Sequence, residues 1–203
     1  FTAMMSGPYA TRLMADLGAE VIKIEPPEGD HIRSRPPQRE GHSTYFAQLN
    51  CGKKSLALDL KKSAAVALVK QLVVTADVVV ENYRPGVMQR LGLDYATLSA
   101  LNPRLVYCSI SGFGQTGDWA GRSAYAPVLH AGSGYDLANL DYQDGIARPL
   151  KNGIFIADVL GGSLAFGAIQ SALLRAARTG QGDQVALSLM DAMLGMLVYE
   201  CQE

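Results

Sequence analysis

The sequence predicts an α/β domain with a mostly parallel sheet and helices on both faces, and three observations predict it. Short apolar or β-branched runs alternate with helical patterns along the chain, the signature of βαβ units. Residues 77–81 (DVVVE) are apolar without alternation, as in a strand covered on both faces. The opening GPYATRLMADLGAEVIKIEPPEGD reads as a helix, a glycine stop and a strand that ends on a glutamate.

Taken in order, residues 8–17 form a helix: Pro8 suits its first position, and Tyr9, Leu13, Met14 and Leu17 share one side. Gly18 is its natural C-terminal stop. A strand spans 21–24, and 26–41 is a polar, Pro-rich loop carrying Arg33, Arg35 and Arg39. A strand over 55–60 precedes a helix over 63–74, and the strand 77–81 follows. A short helix after Pro85 stops at Gly92, and another over 94–101 ends at Asn102-Pro103. A strand at 105–110 leads into a glycine-rich loop and a helix at 125–130. Strand 154–157, helix 160–177, strand 185–189 and helix 190–199 complete the chain.

No repeat or interdomain linker interrupts this order, so residues 1–203 read as one domain. A parallel sheet feeds a strand into a turn such as FTAMMSGPYA, so a further strand is expected upstream; MLVYECQE carries no Gly or Pro helix stop. The chain reads as a piece of a longer protein.

Composition narrows the function. Hydrophobic residues make up 48% and charged residues 18%, as in an ordinary globular protein. The 18 Lys and Arg balance 19 Asp and Glu, a net charge of −1, which argues against nucleic acid as the main partner. Cys51, Cys108 and Cys201 are odd in number and widely spread, which fits a reducing compartment, with the cytoplasm as the default, better than a disulfide framework. No apolar run approaches the roughly 18–20 residues that span a bilayer; the longest is 192–198, so no membrane partner is expected.

Several motifs fail in detail. After Gly7 no glycine follows before Gly18, so the dinucleotide fingerprint is absent where the architecture would place it. The formal match at Gly112, Gly114 and Gly117 continues through Asp118, Trp119 and Gly121 as a surface turn. Gly52-Lys53-Lys54-Ser55 resembles the tail of a phosphate loop, but Ala47 replaces the first glycine and a lysine displaces the hydroxyl residue, leaving only charge to meet a phosphate. His31, His42 and His130 show no ligand spacing, so no metal is expected and the histidines read as structural or exposed. Cys51 beside two lysines lacks an identifiable base, and no Gly-x-Ser-x-Gly elbow exists.

Asp158, in IFIADVLGGSLAFGAI, stands alone between an apolar run and an uncharged helix start. One reading makes it the helix N-cap. The other makes it a carboxylate nucleophile at a strand end, where open α/β sheets bind ligands, with Gly161 and Gly162 allowing close approach.

At these residues the sequence resembles the class III CoA-transferase family, which includes formyl-CoA and carnitine CoA-transferases and the α-methylacyl-CoA racemases. The resemblance is carried by GPYATRLMADLGAEVIKIE, NCGKKSLALDLK, ADVVVENYRPGVMQRLGL, LNPRLVYCSISGFGQTG and the segment from IADVLGGSLAFGAIQ to SLMDAML, in that order. It implies a Rossmann-like sheet, coenzyme A rather than NAD as ligand, and no metal. It implies a CoA-transferase moving CoA from an acyl-CoA to a carboxylic acid, with Asp158 as the covalent nucleophile. The CoA-contact positions fall on Met5, Ser6, Leu58, Lys61, Asn82, Tyr83 and Arg90. Pro26 stands where an arginine often follows the strand glutamate, with Arg33 or Arg35 as the candidate replacement, and Met5 replaces a glutamine that formyl-CoA transferases place beside the substrate. The racemase branch pairs the aspartate with a histidine, and Tyr125 holds that position, which favours transferase. A racemase-type enzyme and a non-catalytic CoA-binding remnant are the alternatives. Complete members carry a second, smaller domain and form interlocked homodimers, so the chain is expected to be the large domain, clipped at its N-terminus and without the small one.

Overall fold

The computed structural model describes residues 1–149 and 153–199. Within them the chain runs α1 (Ser6–Asp16), β1 (Ile22–Glu25), a 3-10 turn (His31–Ser34), β2 (Gln38–Arg39), β3 (His42–Ser43), α2 (Thr44–Asn50), β4 (Lys54–Ala57) and α3 (Ser63–Val73). It continues through β5 (Val78–Glu81), α4 (Val87–Arg90), α5 (Tyr95–Leu101), β6 (Val106–Ser111), α6 (Ala126–Gly132), α7 (Tyr135–Leu140), α8 (Ile156–Thr179), β7 (Asp183–Ser188) and α9 (Leu189–Met196). Strands β5, β6 and β7 make a parallel sheet in that order, and β1 and β4 a parallel pair. An antiparallel hairpin, β2–β3, lies inside the arginine-rich loop.

The fold class is the expected one, and β5 and β6 show why. All six residues of β6 are buried, and its side chains alternate between two cores. Val106, Cys108 and Ile110 pack with α1, α8 and α9 residues such as Ala10, Ala165 and Met193. Tyr107 packs on the other side with Val69, Val73 and Leu98 of α3 and α5. In β5, Val79 and Val80 divide in the same way. A strand with helices over both faces has no polar face to show, so it reads as an unbroken apolar run.

Several sequence expectations are corrected. Residues 154–157 are not a strand: α8 begins at Ile156, with Phe155 as its N-cap residue. The β-branched run misled because a short apolar stretch has no decisive period. Asp158 is therefore not the N-cap but sits in the first turn of α8, where a carboxylate still meets the positive end of the helix dipole. Strand β4 stops at Ala57 and α9 at Met196, both short of the expected ends, and α2 and α7 were not anticipated. The expected helix terminus through residue 199 reaches only turn structure, and Cys201 lies outside the described residues. Against the expectation that no run approaches spanning length, α8 has 24 residues and is, by length and composition, long and apolar enough to cross a membrane. Its stripe Ala157, Gly161, Ala165, Ile169, Ala172 and Ala176 is buried, at helical spacing, in the first core.

A buried polar cluster closes the end of β1. Lys23 Nζ pairs with Asp30 at 2.7 Å and donates to the carbonyl of Thr2 at 2.7 Å. Glu25 takes two hydrogen bonds from Arg33, at 2.9 and 2.5 Å, one from the N–H of Asp30 at 2.7 Å, and one from the hydroxyl of Ser55. Arg33 also stacks on the Phe46 ring, 3.9 Å from its centroid. Glu25 is thus consumed by its own protein, with no place for a ribose, and Arg33 is committed to it. Burial alone would raise the Glu25 carboxyl, but these donors outweigh it and hold it at about 2. A depressed carboxyl pKa contributes stability that is complete above the ordinary value of 4.5 and lost as pH falls through about 2. Arg33 is partly solvated, so the contribution is of order 2 kcal/mol rather than the full shift. Glu25→Gln is expected to lower Tm at pH 7 by about 4–8 °C and to flatten the loss of stability between pH 4.5 and 2. Thermal melts across that range check it; an unchanged acid limb would show that Glu25 does not carry it.

Candidate active site

A cavity of about 400 Å³ opens where β5, β6 and β7 end. Asn82 and Tyr83 reach it from the end of β5, Ser111 and Gly112 from β6, and Leu189 follows β7. The first loop, Met4 to Ser6, and the start of α8, with Phe155 and Asp158, close its other side. Carboxyl ends of parallel strands leave such a crevice, and helix N-termini turn their positive ends toward it.

Asp158 is half-buried there. Burial pushes its carboxyl above the ordinary aspartate value, and hydrogen bonds from the N–H and hydroxyl of Ser6 oppose that rise without cancelling it. Ser6 is in turn within 3.4 Å of Asn82 Nδ2. Asn82 clamps the first loop, accepting from the Ala3 N–H at 2.8 Å and donating to the Ala3 carbonyl at 2.8 Å. Met4, in that loop, adopts a left-handed φ of 62°, an uncommon backbone state for a side-chain-bearing residue and one that gathers at functional sites. The fold thus holds Ser6 against Asp158 from two directions.

Of the candidate residues, Met5, Ser6, Asn82, Tyr83 and Asp158 line this one cavity. Leu58, Lys61 and Arg90 are not among its lining residues. Leu58 is half-buried against the same core as Tyr83, and Lys61 is exposed in the turn after β4. Arg90 is exposed at the end of α4, with its guanidinium beside Gly86.

The lining residues that the sequence did not mark as site members include Tyr45, Arg84, Arg122 and, as part of the wall, Tyr125. Tyr45 rides on α2, a helix the sequence analysis missed; the signal that could have found it is Ser43, the N-cap whose hydroxyl accepts the Phe46 N–H at 3.1 Å. Burial, and then the charge of Asp158, raise the Tyr45 phenol. Arg84 donates to Ser123 Oγ at 2.7 Å, and Arg122 lies over the Trp119 ring at 4.6 Å, so both guanidinium groups are oriented at the cavity rim.

Other motifs resolve as packing. Gly161 and Gly162 admit neighbouring protein: a Cβ on Gly162 would lie 2.7 Å from the Ser6 carbonyl. Lys53 donates to the carbonyls of Pro8 and Leu49 and to Asn50 Oδ1, at 2.7 to 3.1 Å, and so turns inward. The glycine motif at 112–117 opens no helix. Among the described residues no three His, Cys, Asp or Glu side chains gather as a metal site.

The model for CoA-transferase family III matches residues 1–203. The chain is 41% identical over 205 residues to succinate–glutarate CoA-transferase of Agrobacterium fabrum, covering 97% of this chain and 50% of that protein. It is 43% identical over 199 residues to acetyl-CoA:oxalate CoA-transferase of Acetobacter aceti, covering 98% and 51%. The chain thus spans about half the length of the curated relatives it matches. The crystal structure of a CAIB/BAIF family protein from Brucella suis superposes with a TM-score of 0.92 at 39% identity, over 100% of this chain and 54% of that one. A hypothetical protein from Mycobacterium tuberculosis superposes with a TM-score of 0.90 at 33% identity, over 100% and 56%.

Proposed function

Because the chain belongs to CoA-transferase family III, we propose that the protein moves CoA from an acyl-CoA thioester to a carboxylic acid, with Asp158 as the covalent nucleophile. The observation that carries this is the Asp158 carboxylate itself, set by Ser6 in a cavity at the strand ends.

The chemistry needs no external energy source, because each step exchanges one activated acyl group for another. The Asp158 carboxylate attacks the donor thioester carbonyl, forms an aspartyl–acyl anhydride and expels CoA thiolate. The thiolate attacks the aspartyl carbonyl, forms an aspartyl-CoA thioester and releases the donor acid. The acceptor carboxylate attacks that thioester and expels CoA thiolate again, leaving a second anhydride. The thiolate then attacks the acceptor's acyl carbon, giving the new thioester and freeing Asp158. The positive ends of α1 and α8, both facing the cavity, favour each oxyanion.

CoA is held by Met5, Ser6, Asn82 and Tyr83 at the cavity and by Leu58, Lys61 and Arg90 beyond it. Tyr83 offers an aromatic face to adenine, and the two cations suit phosphates. Arg84 and Arg122 at the rim suit an acid with a second carboxylate, in keeping with the succinate, glutarate and oxalate in the relatives' names. Tyr125 in the wall, where the racemase histidine would stand, supports transfer over racemisation.

The test is adduct trapping on the full-length protein. It is mixed with succinyl-CoA and then with hydroxylamine, and the modified peptide is mapped by mass spectrometry. Modification at Asp158 is the expected result; an unmodified Asp158 with the thioester bound overturns the mechanism.

A further inference from the structure

We propose that His130 is a positioning residue for Asp158: its Nε2 accepts the N–H of Ala157 and holds the first turn of α8 that carries the carboxylate. The inference rests on the reading of Asp158 as nucleophile.

The first N–H groups of a helix have no partner within it, and most helices satisfy one with a side-chain cap. Phe155, at the N-cap position of α8, offers none. Ala157 is fully buried, so water does not serve its N–H, and the acceptor is instead His130 Nε2 at 3.2 Å, contributed by α6 27 residues earlier. The side chain that caps the helix thus comes from another element, one residue away from the reacting group.

The ring is held in turn. His130 is 2% exposed, and the Tyr135 ring lies 5.3 Å away, tilted by 53°. A nitrogen that accepts a hydrogen bond carries no proton, which assigns the neutral ring with its proton on Nδ1. Protonation would turn Nε2 into a second donor facing the Ala157 N–H. Burial opposes protonation by lowering the ring's pKa, and Asp136 on α7 partly offsets that. The other ionisable groups on the helices packed against α6 are Tyr135 on α7, Asp158, Arg175 and Arg178 on α8, and Asp191 on α9. Release of Ala157 would free the turn in which Asp158 is the next residue, and displacement of a reacting group by about 1 Å costs up to about 100-fold in rate.

The experiment measures the rate of Asp158 adduct formation from succinyl-CoA in the full-length protein and two variants, across pH. His130→Met keeps the bulk and loses the acceptor; His130→Gln keeps an acceptor that does not titrate. The expected result is a rate about 10- to 100-fold lower in His130→Met, with thioester affinity within about threefold of wild type and faster hydrogen exchange at the Ala157 amide. His130→Gln is expected to recover most of the rate and to show a shallower acid limb than wild type. Equal adduct rates in wild type and folded His130→Met overturn the positioning role and leave Asp158 as nucleophile. No adduct in the wild type overturns the nucleophile itself. If His130→Met does not fold, identical acid limbs in wild type and His130→Gln overturn the proposal.

Discussion

Asp158→Asn is expected to abolish the covalent adduct and to slow CoA transfer by at least about 10³-fold, while leaving the protein as stable as wild type or more so. The rate follows from chemistry: an amide has the carboxylate's shape but not its nucleophilicity, and removal of a covalent nucleophile costs a residual-only rate. The stability follows from the sign of the shift. Burial raises the Asp158 carboxyl in the folded state, so the native protein binds that proton more tightly than the unfolded chain. Stability then falls as pH rises through the interval between the two values, and above it the ionised carboxylate is a liability that asparagine removes. The Asn side-chain oxygen can still accept from Ser6, so the cavity keeps its shape. In the wild type, adduct formation should rise with pH through a value above the ordinary 3.8 of aspartate. Single-turnover rates and melts of both proteins at pH 4 to 8 check this. An Asn variant that loses activity together with a large drop in Tm would make Asp158 a structural residue.

The parts legible in the sequence were those whose cause is local. Two-faced burial wrote itself into residues 77–81, Gly18 marked the end of α1 with its φ of 94°, and the solitary charge of Asp158 stood out from the apolar residues around it. The start of α8 was misplaced because its cap is not local. No residue near Phe155 announces a helix, and the acceptor for the Ala157 N–H sits 27 positions away in α6. His130 was set aside because the three histidines show no ligand spacing, and spacing says nothing of one ring buried against a helix start. Arg84, Arg122 and Tyr45 belong to three different segments, and only their convergence on one cavity marks them. Residue spacing reports neighbours along one element; a cavity walled by several strand ends and loops is a tertiary fact.

The same tertiary logic makes Gly162→Ala a damaging small change beside the carboxylate. A Cβ at Gly162 would lie 2.7 Å from the Ser6 carbonyl oxygen and 3.0 Å from Tyr9 Cδ1. A backbone atom in a helix cannot retreat alone, so α1 must shift as a unit away from α8. Gly161 differs in kind: its added Cβ would meet the far end of the Leu189 side chain, which can rotate. Overpacking of this sort costs about 1–3 kcal/mol, or roughly 2–12 °C in Tm for a domain of this size. Because Ser6 is the residue that hydrogen-bonds Asp158, the shift should also slow adduct formation in the molecules that remain folded. Gly167, in the same helix with open space around it, is the control: Gly167→Ala should stabilise the helix by up to about 1 kcal/mol and leave the rate unchanged. Melts and single-turnover rates of the two variants separate packing from chemistry. If Gly162→Ala keeps both Tm and rate, the close approach of α1 to α8 is not what sets Ser6 against the carboxylate. If it loses Tm alone, the Ser6 contact re-forms after the shift and the helix pair matters only for folding.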